Sequence, residues 1–154
     1  MQQPLQSGKV VTANERKTAQ VFSVRTDIMM RSEDTGGTYS SYEIIAPPEG
    51  GARAHTHSRE NENMYVIEGT FHFRCGEQEC TLGAGDSIYM PKGLPHSFLN
   101  VAQTTGRLLG VATPAGLELF FEDVDEVVRV KQADLTRADI AAVCRKHGIE
   151  ILPQ

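Results

Sequence analysis

The stretch GGARAHTHSRENENMYVIEG, residues 50–69, decides how this chain is read. It follows Pro47, Pro48 and Glu49, a turn that no regular element crosses. His55 and His57 are two residues apart on an extended segment, so their side chains share one face. SRENEN is a polar loop that lets the chain fold back, with Glu62 at its end. MYVIEG (64–69) reads as a strand that stops at Gly69. Two imidazoles and a carboxylate therefore converge from one short stretch.

The pattern continues on both sides. VFSVRTDIMM (21–30) and TYSSYEIIA (38–46) bracket the turn-rich SEDTGG. FHFRC, ECTL, DSIYMP, HSFLNV and RLLGVATP follow, separated by turn residues. Strands of about five residues at intervals of about 8–12 predict an all-β sandwich or barrel. Twelve of the 14 glycines lie between Gly36 and Gly116, as closely spaced turns require.

The period then changes. Leu117, Phe120, Phe121 and Val124 recur at i, i+3, i+4 and i+7, one face of a helix. Thr113 is the expected cap, with Pro114 at the first helical position. A second helix is expected over 136–147, started by Thr136 and Asp139 and stopped by Gly148. The expected organisation is a flexible arm at 1–8, a barrel at 9–113 and a helical extension at 114–154 packed on the barrel.

Composition narrows the function classes. The 154 residues are about one domain's worth, 40% hydrophobic and 23% charged, close to a globular average. The net charge is −5, and there is no basic run to meet a phosphate backbone. No apolar run approaches the ~18 residues of a membrane span, and MQQPLQSGKVV lacks the pattern of a secretory leader. The expectation is a cytoplasmic protein without nucleic-acid or membrane partners. Three cysteines make no disulfide framework. Cys75 and Cys80 flank GEQE and are expected as thiols, a bridge requiring that they face each other directly. Cys144 reads as a small core residue.

His96 lies 39 residues beyond His57 and opens another strand-like run. With His55, His57 and Glu62 it makes three nitrogens and one oxygen, a set suited to a first-row divalent metal. An ion with six ligands would keep two positions for substrate, water or dioxygen.

These residues resemble the two motifs of the cupin superfamily. Residues 50–69 carry H-x-H-x4-E-x6-G at His55, His57, Glu62 and Gly69. The usual leading glycine position is held by Glu49. GDSIYMPKGLPHSFLN (85–100) carries G-x5-P-x-G-x2-H-x3-N in full, at Gly85, Pro91, Gly93, His96 and Asn100. The resemblance implies a double-stranded β-helix with the metal inside, held by His55, His57, Glu62 and His96. It is similar in particular to small bacterial cupins of the quercetin dioxygenase-like group.

Other residues have blander readings. Glu60 rivals Glu62 and is otherwise a support for a ligand. His72, between Phe71 and Phe73, faces away from the site, and His147 meets a helix dipole. Arg53 shares parity with His55 and His57, so it is a candidate substrate contact or an exposed rim residue. Met64 and Phe98 share parity with Glu62 and His96, and line a substrate pocket or pack the core. Phe120 and Phe121 close a barrel mouth or meet a partner.

The expected function is a metal-dependent dioxygenase of a small aromatic or enol-type substrate. Its cofactor is one divalent ion (Fe, Mn, Ni, Co, Cu or Zn), with Glu62 also a candidate base. A metal-dependent isomerase, decarboxylase or lyase is the alternative, as is a non-catalytic module that binds a small ligand. The resemblance further implies a homodimer.

Overall fold

The computed structural model describes residues 7–154. Of the expected arm, residues 1–6 lie outside the described residues. Eleven strands follow: β1 (Lys17–Val21), β2 (Val24–Met30), β3 (Ser40–Ala46), β4 (Gly51–His57), β5 (Asn61–Glu68), β6 (Thr70–Cys75), β7 (Gln78–Gly83), β8 (Ser87–Met90), β9 (His96–Asn100), β10 (Gly106–Thr113) and β11 (Ile149–Ile151). A short helix, α1 (Ser32–Thr35), forms where a plain connector was expected. Two longer helices, α2 (Leu117–Lys131) and α3 (Arg137–Lys146), precede β11.

The strands form two antiparallel sheets, ordered β1-β2-β3-β10-β5-β8 and β11-β4-β9-β6-β7. This is the double-stranded β-helix the motifs implied. Alternation sets the inner rows. On β5, Glu62, Met64 and Val66 are buried while Asn63 and Tyr65 are exposed. On β6, Phe71 and Phe73 point inward, and their rings meet Phe98 of β9 at 6.3 and 6.1 Å. Burial of such rings contributes roughly 1.5–3 kcal/mol each to folding.

Three details differ from expectation. The run 21–30 is split at Phe22 and Ser23, so β1 and β2 form a hairpin. Helix α2 begins at Leu117 after Gly116, not at Pro114, because Glu118 turns inward and accepts from the Gly116 and Ser32 backbone N–H groups at 2.9 and 2.7 Å. The C-terminal extension is not purely helical: β11 joins the sheet beside β4, opposing Ile149 to His57 and Ile151 to His55. Thr136 caps α3 as its sequence indicated.

Cys75 opposes Gln78, and Cys80 opposes Phe73, so the two are not directly facing. Both are thiols. No helix among the described residues is long and apolar enough to cross a membrane.

Candidate metal centre

His55 and His57 come from β4, His96 from β9 and Glu62 from β5. The two sheets thus meet at one point inside the barrel. The β4–β9 pairing opposes His55 to His96. Gly93, in the second motif, donates its N–H to the His57 carbonyl at 2.7 Å and links the two motifs through their backbones. Asn100 is fully buried and structural: its amide donates to the carbonyls of Ala46, Pro47 and Thr104.

The three histidines bring one ring nitrogen each to within 4.8 Å of the others. Two of their outer nitrogens are tied back. His55 Nδ1 donates to the Arg53 carbonyl at 2.6 Å, and His96 Nδ1 to the Leu94 carbonyl at 3.0 Å. His57 Nδ1 faces the buried Glu60 carboxylate at 3.6 Å. The two carbonyls fix the tautomers of His55 and His96, whose Nε2 atoms turn lone pairs inward, while His57 Nδ1 has no hydrogen-bond partner among the described residues.

That donor set fits a metal ion. His55 Nε2 and His57 Nε2 stand 3.1 Å apart, where two lone pairs repel unless a cation or a proton lies between them. His96 Nε2 is buried with no hydrogen-bond partner among the described residues. An ion at this point would satisfy all three nitrogens. Glu62 stands at one side of the triad, its Oε2 3.7 Å from His57 Nε2.

Burial and charge divide the histidines. Burial, with the neighbouring His96 and His57, pushes His55 down to about 3. Burial also holds His96 below its ordinary value. It acts on His57 in the same direction, but the Glu60 and Glu62 carboxylates outweigh it and hold His57 above its ordinary value. His55 and His96 are therefore neutral and ready to ligate near neutral pH, while His57 retains its proton longer.

The other candidates separate. Met64 and Phe98 are buried in the core cluster, 2% and 5% exposed. Arg53 is exposed. The parity argument does not reach it, because the β4–β9 register shifts between Ala52 and His55, which lets Ala52 oppose Phe98. His72 lies on the outer face near Thr81. His147 reaches from the end of α3 to Asp123 of α2, Nε2 to Oδ2 at 2.6 Å, rather than meeting a dipole alone. Phe121 packs edge-on against Tyr42 at 4.8 Å, and Phe120 against His147 at 5.8 Å.

Two buried polar residues near the site lie outside both motifs: Tyr42 on β3 and Glu118 on α2, each 0% exposed. Burial, then Glu62, holds the Tyr42 phenol well above its ordinary value. Its signal in the sequence was its shared parity with Ile44 and Ala46. Glu118 gave none, since it falls beside an apolar helical face.

Comparison with known proteins agrees with this architecture. Residues 41–112 match the cupin domain family. No curated protein matches the chain. Three solved structures show the same fold. KdgF from Halomonas sp. is 15% identical, with 73% of this chain and 99% of that one covered and a TM-score of 0.65. A predicted oxalate decarboxylase from Thermotoga maritima is 21% identical, with 69% and 99% covered and a TM-score of 0.64. The polyketide cyclase RemF from Streptomyces resistomycificus is 25% identical, with 70% and 80% covered and a TM-score of 0.60.

Proposed function

We propose, from a cupin domain over residues 41–112 and the donor set inside it, that this protein is a metal-dependent enzyme acting on a small enol-type or aromatic substrate. The observation that carries the reading is the inward convergence of three histidine Nε2 atoms, two of them, on His55 and His96, with Nδ1 held from behind by a backbone carbonyl. In this reading His55, His57, His96 and Glu62 hold one divalent ion. A bound ion would supply Lewis acidity to a substrate oxygen. Glu62, buried at the edge of the triad, is the group placed to take a proton from that substrate at a carboxylate oxygen. Glu60 sets a buried carboxylate 3.6 Å from His57 Nδ1. The close packing of Phe71, Phe73 and Phe98 keeps water from the interior beneath the site.

Dioxygenase chemistry is the first reaction class of this reading. The second is non-redox: isomerisation, decarboxylation or elimination. Two of the similar structures carry names in that direction, a predicted oxalate decarboxylase and a polyketide cyclase. One experiment separates them. Protein loaded in turn with Fe²⁺, Mn²⁺, Co²⁺, Ni²⁺, Cu²⁺ and Zn²⁺ is offered flavonols, catechols and diketones with and without oxygen. Oxygen consumption matched to substrate loss supports the dioxygenase. Turnover that persists anaerobically, or with Zn²⁺, supports the non-redox class. Absence of metal uptake by wild-type protein would remove both.

A homodimer belongs to the same proposal. Tyr65 and Tyr89 are exposed, 42% and 59%, at neighbouring positions on the outer face of β5 and the edge strand β8. A second copy covering this face would also cover that edge. Light scattering after gel filtration should give twice the 16.9 kDa chain mass.

A further inference from the structure

β11 brings one side chain beside each histidine of β4: Ile149 opposes His57, and Ile151 opposes His55. Directly opposed residues of an antiparallel pair stand on the same face of a sheet, so both isoleucines share the face of the triad. The pairing is held at both ends. Ser58 N–H donates to the Gly148 carbonyl and Leu152 N–H to the Ala54 carbonyl, each at 2.9 Å. Exposure rises in the same direction along both strands. His57 and Ile149 are buried, at 3% and 5%, whereas His55 is half-buried and Ile151 is 39% exposed. The triad therefore opens to solvent on the side of His55, and Ile151 stands beside that opening. The same row continues across the sheet, because His55 opposes His96 and His96 opposes Cys75. From Ile151 to Cys75, the row adds only an alkyl side chain and a thiol to the histidines. On the facing sheet, Glu62 is flanked by Ala112 and Met90. Neither stretch carries a lysine or arginine that could meet a substrate carboxylate.

We propose that Ile151 is a specificity-determining residue, an apolar wall at the entrance to the metal centre that packs the ring face of a small enol or aromatic diol held there. The inference rests on the proposed function, in which the three histidines and Glu62 hold a divalent ion. Recognition is then by apolar contact beside the ion and not by a counter-charge. A short edge strand from the C-terminal extension completes a site whose ligands all come from the barrel strands.

The test titrates Co²⁺-loaded protein with two probes, 4-nitrocatechol and azide, and follows the visible spectrum. 4-Nitrocatechol presents an aromatic ring to the wall, whereas azide reaches the ion with almost no apolar surface. The proteins are wild type, Ile151→Val, Ile151→Ala and Ile151→Asp. Ile151→Ala should weaken 4-nitrocatechol binding roughly ten-fold, as loss of apolar contact in a binding site does, and Ile151→Asp should weaken it further. Ile151→Val, which keeps most of the wall, should stay within about three-fold of wild type. Affinities for Co²⁺ and azide should be unchanged in all three. If 4-nitrocatechol binds the alanine and aspartate variants as it binds wild type, the wall is wrong and the metal reading stands. Equal losses for azide and 4-nitrocatechol would place the effect at the ion and overturn the proposal. So would a Co²⁺-loaded wild type that binds azide and not 4-nitrocatechol. A wild-type protein that takes up no Co²⁺ would remove the metal reading and this inference with it.

Discussion

Replacing Gly51 by alanine should damage stability and metal binding together. Gly51 opposes Leu99 where β4 runs beside β9. A Cβ there would lie 2.0 Å from the Phe98 carbonyl oxygen and 3.0 Å from the Leu99 Cα. A relaxed carbon–oxygen contact needs about 3.3 Å, so the strands must part by roughly 1.3 Å. Both obstructing atoms belong to the backbone, so no rotamer change relieves the clash. Overpacking costs about 1–3 kcal/mol, and each ladder hydrogen bond lost adds ~1 kcal/mol. The sum is roughly 3 kcal/mol, or a fall in Tm of about 6–12 °C for a chain of this size. The parting falls between the strand of His55 and His57 and the strand of His96, so the triad widens. Co²⁺ affinity should drop by about 10–100-fold. Urea unfolding followed by circular dichroism gives the first quantity, and Co²⁺ titration of folded protein gives the second. Gly83→Ala is the control, since a Cβ there meets nothing within 4 Å. An unchanged urea midpoint for Gly51→Ala would refute the steric argument. A lowered midpoint with unchanged Co²⁺ affinity would refute the coupling of this strand pair to the site.

Co²⁺ binding near pH 7 should release protons, because Glu60 and Glu62 keep His57 protonated above its ordinary range. Calorimetric heats that do not vary with the buffer's ionisation enthalpy would contradict this. Glu49 holds a left-handed backbone (φ 63°) at the motif position usually taken by glycine. The conformation costs an L-residue about 1–2 kcal/mol, and glycine's extra chain entropy returns about half of that. Glu49→Gly should therefore raise the Tm by about 2 °C in a calorimetric scan. The Lys146 ammonium, then His147, holds the Asp123 carboxyl below its ordinary value. A lowered folded-state pKa stabilises the fold above the unfolded value of about 3.9, and this contribution is lost as pH falls through the lower folded value. Acid titration of stability should show a smaller loss over that window for Asp123→Asn than for wild type.

Much of the site was legible because its residues are spaced by strand geometry. The separation of His55 and His57 places both rings on one face wherever that strand lies. The second motif matches in full, and turn residues frame nearly every strand. Alternation also buried Met64 and Phe98 as expected. It left Arg53 as a substrate contact or an exposed rim residue; the side chain is exposed, and the irregular register between Ala52 and His55 is one that no side-chain pattern announces. Alternation reaches Tyr42 only through its shared parity with Ile44 and Ala46, and not the glycine 68 positions away whose missing side chain leaves room for the ring.

The sequence by itself therefore determined the β-rich class, the ligand-bearing strands and the helices that follow them. These depend on local periodicity, turn chemistry and caps, which act over a few residues. Tertiary structure decided which nitrogen of His55 and His96 faces inward, because the carbonyls that fix those tautomers come from the folded backbone. It also decided that β11 flanks the histidine strand and that Cys75 and Cys80 do not face each other. Register between strands is a property of the whole sheet, set where side chains from distant segments pack, and it is this that brings His96 of β9 opposite His55 of β4.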